Sequence, residues 1–415
     1  MRARYAVAAL AVAFLTVELV LGSLVSNWDF LDDSIYMHAS LIILEHHGCN
    51  LDGSYLTLCN YEHTPLVKVL GAVSLYAFGW VVPRSVLMSP GSAIDLPRLS
   101  SSILWFLAFR FFQIVMGALS IPLIYTIANK ISKNTRLALL AAALLVLEPM
   151  FAFFSRTAYL DVPMIFFALC AYAAYFGAYR LGPLNEYLLA GFFLALSFLS
   201  KETGAVFLIP LLIYHFAFRE TSWKSSASEA ILLAGCAVIV SIVGLQAYDS
   251  LGETPFPTFL QQLQYMVGFS NSLSCKGFCS FPPSPSDWFF SYTQNFHFEG
   301  FGNNLVLLWL VFAWIPLGAY SVVRGRRHQI SPENRLFVLA VLLFVSTFLE
   351  NEVIYLYRGI LPWYYLTMVP SLALGGAYLL TLQEISRWGR VAVFGLIMAG
   401  FIWAYLFFPN LLSFE

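Results

Sequence analysis

Residues 5–36 read YAVAALAVAFLTVELVLGSLVSNWDFLDDSIY, and this stretch decides the fold. Its first part, Tyr5 to Ser26, is apolar over a length that crosses a bilayer core of about 30 Å. Its second part turns acidic. Asp29, Asp32 and Asp33 follow at once, then Glu45, Asp52 and Glu62, and no Lys or Arg occurs between Arg4 and Lys68. Two adjacent carboxylates at a membrane surface contribute little to packing. They suit chemistry on a substrate that reaches the membrane.

The rest of the chain agrees with a membrane reading. Of its 415 residues, 60% are hydrophobic and 11% charged, with mean hydropathy +0.75. A soluble domain cannot hide that much apolar surface. The formal net charge of −1 supplies no basic field for nucleic acid. Met1-Arg2-Ala3-Arg4 precedes a long apolar run without a small-residue cleavage site, which predicts an uncleaved first helix rather than a signal peptide. Further apolar stretches lie near 105–128, 136–154, 160–179, 187–200, 203–219, 229–249, 304–323, 335–350, 363–382 and 391–408. The expectation is an all-α polytopic membrane protein of about eleven transmembrane helices. No tandem repeat divides it, so residues 1–415 read as one domain.

Lys and Arg placement sets the expected orientation. Arg2 and Arg4 put the N-terminus in the cytoplasm. Lys130, Lys133 and Arg136, then Arg219 and Lys224, then Arg324, Arg326 and Arg327, then Arg387 and Arg390 join them on one side, provided the stretch 66–83 lies on the outer surface instead of crossing. Loops 27–104 and 250–303 then face outside with their short surface helices, as does the C-terminus. Cys49 and Cys59 fall in the first outer loop, and Cys275 and Cys279 in the second. Two close pairs in an oxidising compartment predict disulfides Cys49–Cys59 and Cys275–Cys279. A four-cysteine metal site across the loops is the alternative, but the spacing is not that of a zinc knuckle.

Ionisable groups gather at the outer ends of the spans. Asp32 and Asp33 follow the first helix. His63, Pro65 and Lys68 open the surface helix, and Arg110 starts the next span. Arg156 and Asp161 bracket a short turn, Lys201 and Glu202 sit at another junction, and Glu350, Glu352 and Arg358 cap a further end. Taken singly, each is also explained as a hydrated loop residue. Together they describe a vestibule in which cations suit a lipid-linked phosphate and a carboxylate suits deprotonating a hydroxyl. That is glycosyl transfer from a polyprenyl-phosphate sugar, which needs no nucleotide-binding loop.

The motifs resemble, in order along most of the chain, the protein O-mannosyltransferase family within the GT-C glycosyltransferases. Leu31-Asp32-Asp33-Ser34-Ile35-Tyr36 resembles the family's Asp-Glu motif, with Asp33 replacing Glu. His63-Thr64-Pro65-Leu66-Val67-Lys68 resembles His-Pro-Pro-Leu-x-Lys, with Thr64 replacing Pro. Arg110 followed by Gly117-Ala118-Leu119-Ser120-Ile121-Pro122-Leu123-Ile124-Tyr125 resembles the family's second helix, and Ser155 to Asp161 followed by Phe166-Phe167 a further segment. Lys201-Glu202-Thr203-Gly204 resembles Lys-Trp-x-Gly. Arg358, Trp363-Tyr364-Tyr365 and Pro370 resemble the tenth-helix pattern, and Trp288 resembles an outer-loop Trp. Eukaryotic members carry a β-trefoil in the second large loop. Here that loop has about fifty residues, too few for one, which implies a prokaryotic relative in the plasma membrane.

The resemblance and the chemistry together imply an inverting transferase. It would move a sugar, mannose by family, from a polyprenyl or dolichyl phosphate to Ser/Thr of exported proteins. Asp32 is the expected general base, with Asp33 orienting the acceptor or keeping Asp32 ionised. The pair can also cap a helix beginning near Ser34. Arg156, Lys201, Arg358 and Arg110 are expected at the donor phosphate. Ion pairs are the alternatives: Arg156 with Asp161, Lys201 with Glu202, or Arg110 with Asp33. His63, Lys68 and Asp161 would shape the acceptor and sugar side, and Trp288, Tyr364 and Tyr365 would stack on sugar rings, unless they only pack. Cys170, Cys236 and His215 read as ordinary helix content. No cofactor or metal is required if Lys and Arg neutralise the phosphate, although a divalent ion at Asp32-Asp33 stays open. Transfer to a lipid or glycan, as in the aminoarabinose transferase of lipid A, is the near alternative. A transporter is the remote one, lacking paired repeats and midplane charges. The Trp-Trp-Asp signature of oligosaccharyltransferases is missing.

Overall fold

A computed structural model describes residues 2–24, 36, 39–40, 43, 63–78, 103–218, 222–251, 256–272, 284–289, 305–325, 330–357, 362–383 and 385–407. Among them all regular structure is helical. The order is α1 (Arg2–Leu24), α2 (Leu66–Phe78), α3 (Ile103–Ser132), α4 (Thr135–Val146), α5 (Pro149–Ser155), α6 (Asp161–Tyr175), α7 (Pro183–Ser200), a 3₁₀ turn (Glu202–Phe207) and α8 (Leu208–Phe218). Then come α9 (Trp223–Leu251), α10 (Phe259–Ser272), a 3₁₀ turn (Pro285–Phe289), α11 (Leu305–Trp309), α12 (Val311–Gly325), α13 (Pro332–Tyr357), a 3₁₀ turn (Pro362–Met368), α14 (Val369–Thr381) and α15 (Arg387–Phe407).

Helices lie where the apolar stretches predict them, but fewer than eleven pass as full spans. Among the described residues six are long and apolar enough to cross a membrane, or seven if one bent pair is a single span. The bent pair is α4 and α5, which meet at 65°. Pro149 takes the first position of α5, where its missing N–H is harmless, and the Glu148 side chain caps the new start by accepting from Phe151 N at 2.9 Å. The predicted span 160–179 is shorter because α6 stops at Tyr175, followed by Gly177 in the left-handed region at φ +71°. The stretch predicted to lie on the surface forms α2, which packs on α3 and α7 and buries Val67, Lys68, Ala72 and Leu75.

Helix α3 has 30 residues, about 45 Å of rise, and tolerates Pro122 inside it. Pro122 has no N–H to give the Ala118 carbonyl, and one turn on Thr126 Oγ1 donates back to the Pro122 carbonyl at 2.7 Å. The core is built by α3 to α7 with α13 and α14, from Ala, Leu, Ile and Phe side chains. On α9 the side chains of Ile231, Val238, Ile239 and Val243 point outward instead, a surface suited to lipid chains.

The arrangement that positions the site is the alternation of four helices. α6 and α8 run away from the end that holds Asp161 and Lys201, while α7 and α13 run back towards it. The bundle therefore has two ends, one marked by Asp161 and Lys201, the other by Lys130 and Tyr175.

Candidate active site

Helix α6 starts at Asp161, whose carboxylate suits the positive N-terminal end of the helix. Helix α7 ends at Ser200, and Lys201 follows in extended backbone at φ −155°, ψ 139° before the 3₁₀ turn begins. Gly204 closes that junction. A Cβ there would collide with the backbone carbonyl of Ser197, so the glycine of the Lys-x-x-Gly pattern allows the turn to fold back on α7. This geometry aims Lys201 at Asp161, and Nζ donates to Oδ1 at 2.7 Å with both side chains almost wholly buried. The same ammonium stands 4.1 Å from the Tyr364 ring centroid, a cation–π contact. Burial by itself pulls the Lys201 ammonium down. The attraction of Asp161, with Tyr364 and Glu202 behind it, outweighs that and holds it above its ordinary value.

A second pair adjoins the first. His63 Nδ1 lies 3.0 Å and 3.1 Å from the two Glu202 carboxylate oxygens. The His63 carbonyl accepts from Lys68 Nζ at 2.7 Å, so Lys68 fixes the entry to α2. Asp161 is within electrostatic reach of His63 and Glu202, and Glu350 on α13 is within reach of Lys201, Glu202 and Asp161. Glu350 Oε2 is buried. Tyr36, three residues after Asp33, packs edge-on to His63 at 5.9 Å and to Tyr159 at 6.0 Å. Five ionisable side chains thus converge: His63 ahead of α2, Asp161 at the start of α6, Lys201 just past α7, Glu202 in the 3₁₀ turn and Glu350 on α13. Among the described residues no group of three or more His, Cys, Asp or Glu has the arrangement of a metal site.

Arg156 takes a different partner from the one sequence spacing offers. Its guanidinium donates to Glu18 of α1 at 2.9 Å, both nearly fully buried, and lies 5.1 Å from the Phe153 ring. Asp161 is committed to Lys201, and Glu202 to His63. Neither of the two ion pairs suggested by neighbours in sequence is the one formed. Glu18 escaped the sequence reading, although a lone carboxylate inside an apolar run is a signal in itself. Glu148 escaped it too. It is buried beside Tyr365 as well as capping α5. Arg110 is buried in α3. Trp288 and Tyr365 are buried against each other, rings edge-on at 6.1 Å, which joins the second large loop to the 362–368 turn. Asn351 Nδ2 holds the Tyr364 carbonyl at 3.3 Å.

Asp32, Asp33, Arg358 and the four loop cysteines Cys49, Cys59, Cys275 and Cys279 lie outside the described residues. The cysteines that are described, Cys170 and Cys236, are free.

Residues 102–245 match the family model described as dolichyl-phosphate-mannose-protein mannosyltransferase. That segment holds Arg110, Arg156, Asp161, Lys201 and Glu202. No curated protein matches the chain in sequence. Among solved structures, the fold matches the Saccharomyces cerevisiae Pmt1–Pmt2 protein O-mannosyltransferase complex bound to the sugar donor at TM-score 0.72 and 12% identity, over 99% of this chain and 89% of that one. It matches ArnT from Cupriavidus metallidurans bound to undecaprenyl phosphate at TM-score 0.55 and 16% identity, over 94% of this chain and 63% of that one. It also matches the oligosaccharyltransferase AglB from Archaeoglobus fulgidus, in complex with an inhibitory peptide and a dolichol-phosphate, at 0.52 and 15%, over 96% and 55%. The chain spans under two thirds of ArnT and just over half of AglB. At these identities the shared property is the fold.

Proposed function

We propose that the chain is a glycosyltransferase that moves a sugar, mannose by family likeness, from a polyprenyl-phosphate donor to a hydroxyl of an exported protein. The observation that carries this is the convergence of the Asp161–Lys201 and His63–Glu202 pairs at one end of the bundle, next to Tyr36. Asp32 precedes Tyr36 by four residues, at most about 14 Å of extended chain.

In the proposed reaction Asp32 accepts the proton of the Ser/Thr hydroxyl. The oxygen attacks the anomeric carbon from the face opposite the phosphate, the bond from that carbon to the phosphate oxygen breaks, and polyprenyl phosphate leaves with inversion. Lys201, held in place by Asp161, has ammonium donors beyond the one Asp161 accepts, and with Arg358 it would stabilise the leaving phosphate. Those two cations supply the countercharge, so the step needs no metal. Arg156, locked to Glu18, would position the turn before α6 and leave the phosphate to the others.

A second acceptor class, a lipid or glycan hydroxyl in place of a protein side chain, comes from the likeness to the aminoarabinose transferase of lipid A, and the fold match to ArnT bound to undecaprenyl phosphate agrees with a polyprenyl-phosphate donor for either class. Purified protein in nanodiscs would be given polyprenyl-phosphate mannose with Ser/Thr peptides in one arm and with lipid acceptors in another, each with and without chelator. Mass spectrometry of a peptide gaining one hexose supports the first acceptor, and a glycosylated lipid the second. No transfer in any arm, with several donor sugars tried, overturns the proposal.

A further inference from the structure

The opposite end of the same helices holds a cavity of about 590 Å³. Its walls are the last turns of α3, α6 and α8 and the first turns of α7 and α13. Helix α6 rises about 22 Å over its 15 residues and separates this cavity from Asp161 by that length. It shares no residue with the charge cluster described above.

Three cations line it, Lys130, Lys133 and Arg335, against one carboxylate, Glu186. Two of the cations, Lys130 and Arg335, are held by contacts of their own, and Lys133 is exposed beside them. Lys130 Nζ donates to the Gly177 carbonyl at 2.7 Å, just past the end of α6. Arg335 is half-buried, with its guanidinium 5.8 Å from the Phe218 ring and close to Tyr214. Lys133 follows the end of α3 in the left-handed region at φ 56°, its N–H returning to the Asn129 carbonyl at 3.0 Å. That position normally carries Gly or Asn, because a Cβ there is strained. The helix stop is made by this backbone bond. Lys133 nonetheless stands in the lining of the cavity, where it adds a second ammonium to that of Lys130. Among the described residues no carboxylate stands within ion-pair distance of Lys130 or Lys133.

We propose that this cavity is a second binding site, for a phosphate group held by Lys130, Lys133 and Arg335. Three cations from two helices and a turn can surround a phosphate's oxygens, and aromatic walls suit the organic remainder of a phosphoester better than a bare inorganic ion. The volume accepts a lipid headgroup or a soluble phosphate ester. Its level, at the bundle end where the sequence concentrates Lys and Arg, is that of phospholipid headgroups.

The test uses the full chain in detergent and in nanodiscs, with Lys133→Gly and Arg335→Gln made singly and together. Native mass spectrometry would measure retention of phosphatidylglycerol against phosphatidylcholine, and glycerol phosphate would compete in solution. The wild type is expected to retain the anionic lipid preferentially, and the double variant to lose affinity at least tenfold. The thermal midpoint of Lys133→Gly is expected to equal or exceed the wild type's, because glycine relieves the strain. Binding of glycerol phosphate without lipid preference, lost in the same variants, also supports the site and assigns its source to solution. Equal retention of both lipids with no glycerol phosphate binding, or binding that the double variant keeps, overturns it. Sugar transfer, read at the other end of the bundle, is expected unchanged in all three variants, so failure here is distinct from failure of the proposed reaction.

Discussion

The two ends of the bundle formed by α6, α7, α8 and α13 treat charge in opposite ways. At the Asp161 end the charged groups face one another: Lys201 on Asp161, His63 on Glu202, with Arg156 on Glu18 nearby. At the Lys130 end three cations and one carboxylate surround an open cavity. Burial accounts for the contrast. A charge taken out of water costs several kcal/mol unless a partner meets it, so the buried Asp161–Lys201 and Glu18–Arg156 pairs match opposite signs. An open cavity leaves its cations within reach of solvent, so an excess of one sign costs less there. Paired charge is a device for holding geometry, and unbalanced charge a device for capturing something else.

The largest expected effect tests whether the Asp161 end performs chemistry. Asp32→Asn should lower transfer by about 10²–10⁴-fold, the usual worth of a general base, with little change in thermal midpoint. Near-normal turnover would remove Asp32 from the mechanism. Next, breaking a buried pair should destabilise by about 3–5 kcal/mol. Asp161→Asn strands Lys201, and Glu18→Gln strands Arg156. The double variant Asp161→Leu/Lys201→Met should recover most of the loss, since an apolar pair of similar volume avoids the desolvation cost. Unfolding in detergent would measure this, and equal midpoints for single and double variants would show that the charges are not mutually required.

His63 and Glu202 are partly exposed, and screening weakens their attraction. A double-mutant cycle to Ala should give a coupling of roughly 1 kcal/mol or less, well below the buried pairs. The lysine's part in the Asp161 pair has a definite pH sign. Its folded value is raised, so that contribution is complete below the ordinary 10.5 and fades only as pH climbs through the folded value above it. A loss of the lysine's contribution between pH 7 and 9 would contradict the geometry. Smallest of all, Lys133→Gly at the open end should stabilise by about 0.5 kcal/mol, the relief of left-handed strain less the entropy that glycine adds to the unfolded chain.

Much of this was legible in the chain. Periodicity and length place α1, α3, α7, α9, α12 and α13 close to where they form, because a helix that satisfies its own backbone is the local answer to an apolar solvent. The Lys-x-x-Gly pattern marks a junction, and the structure supplies its reason in the approach of Gly204 to the Ser197 carbonyl. Span count was less legible. Pro149 and Gly177 end helices that hydropathy alone would continue.

Sequence by itself determined a polytopic helical protein with its charges sorted to the helix ends, since hydropathy is a local property summed along the chain. Only the tertiary structure decided which charges meet. Glu18 and Arg156 are 138 positions apart, His63 and Glu202 139, Asp161 and Lys201 40. Partners are chosen where burial brings side chains within about 3 Å, and no spacing along the chain encodes that distance.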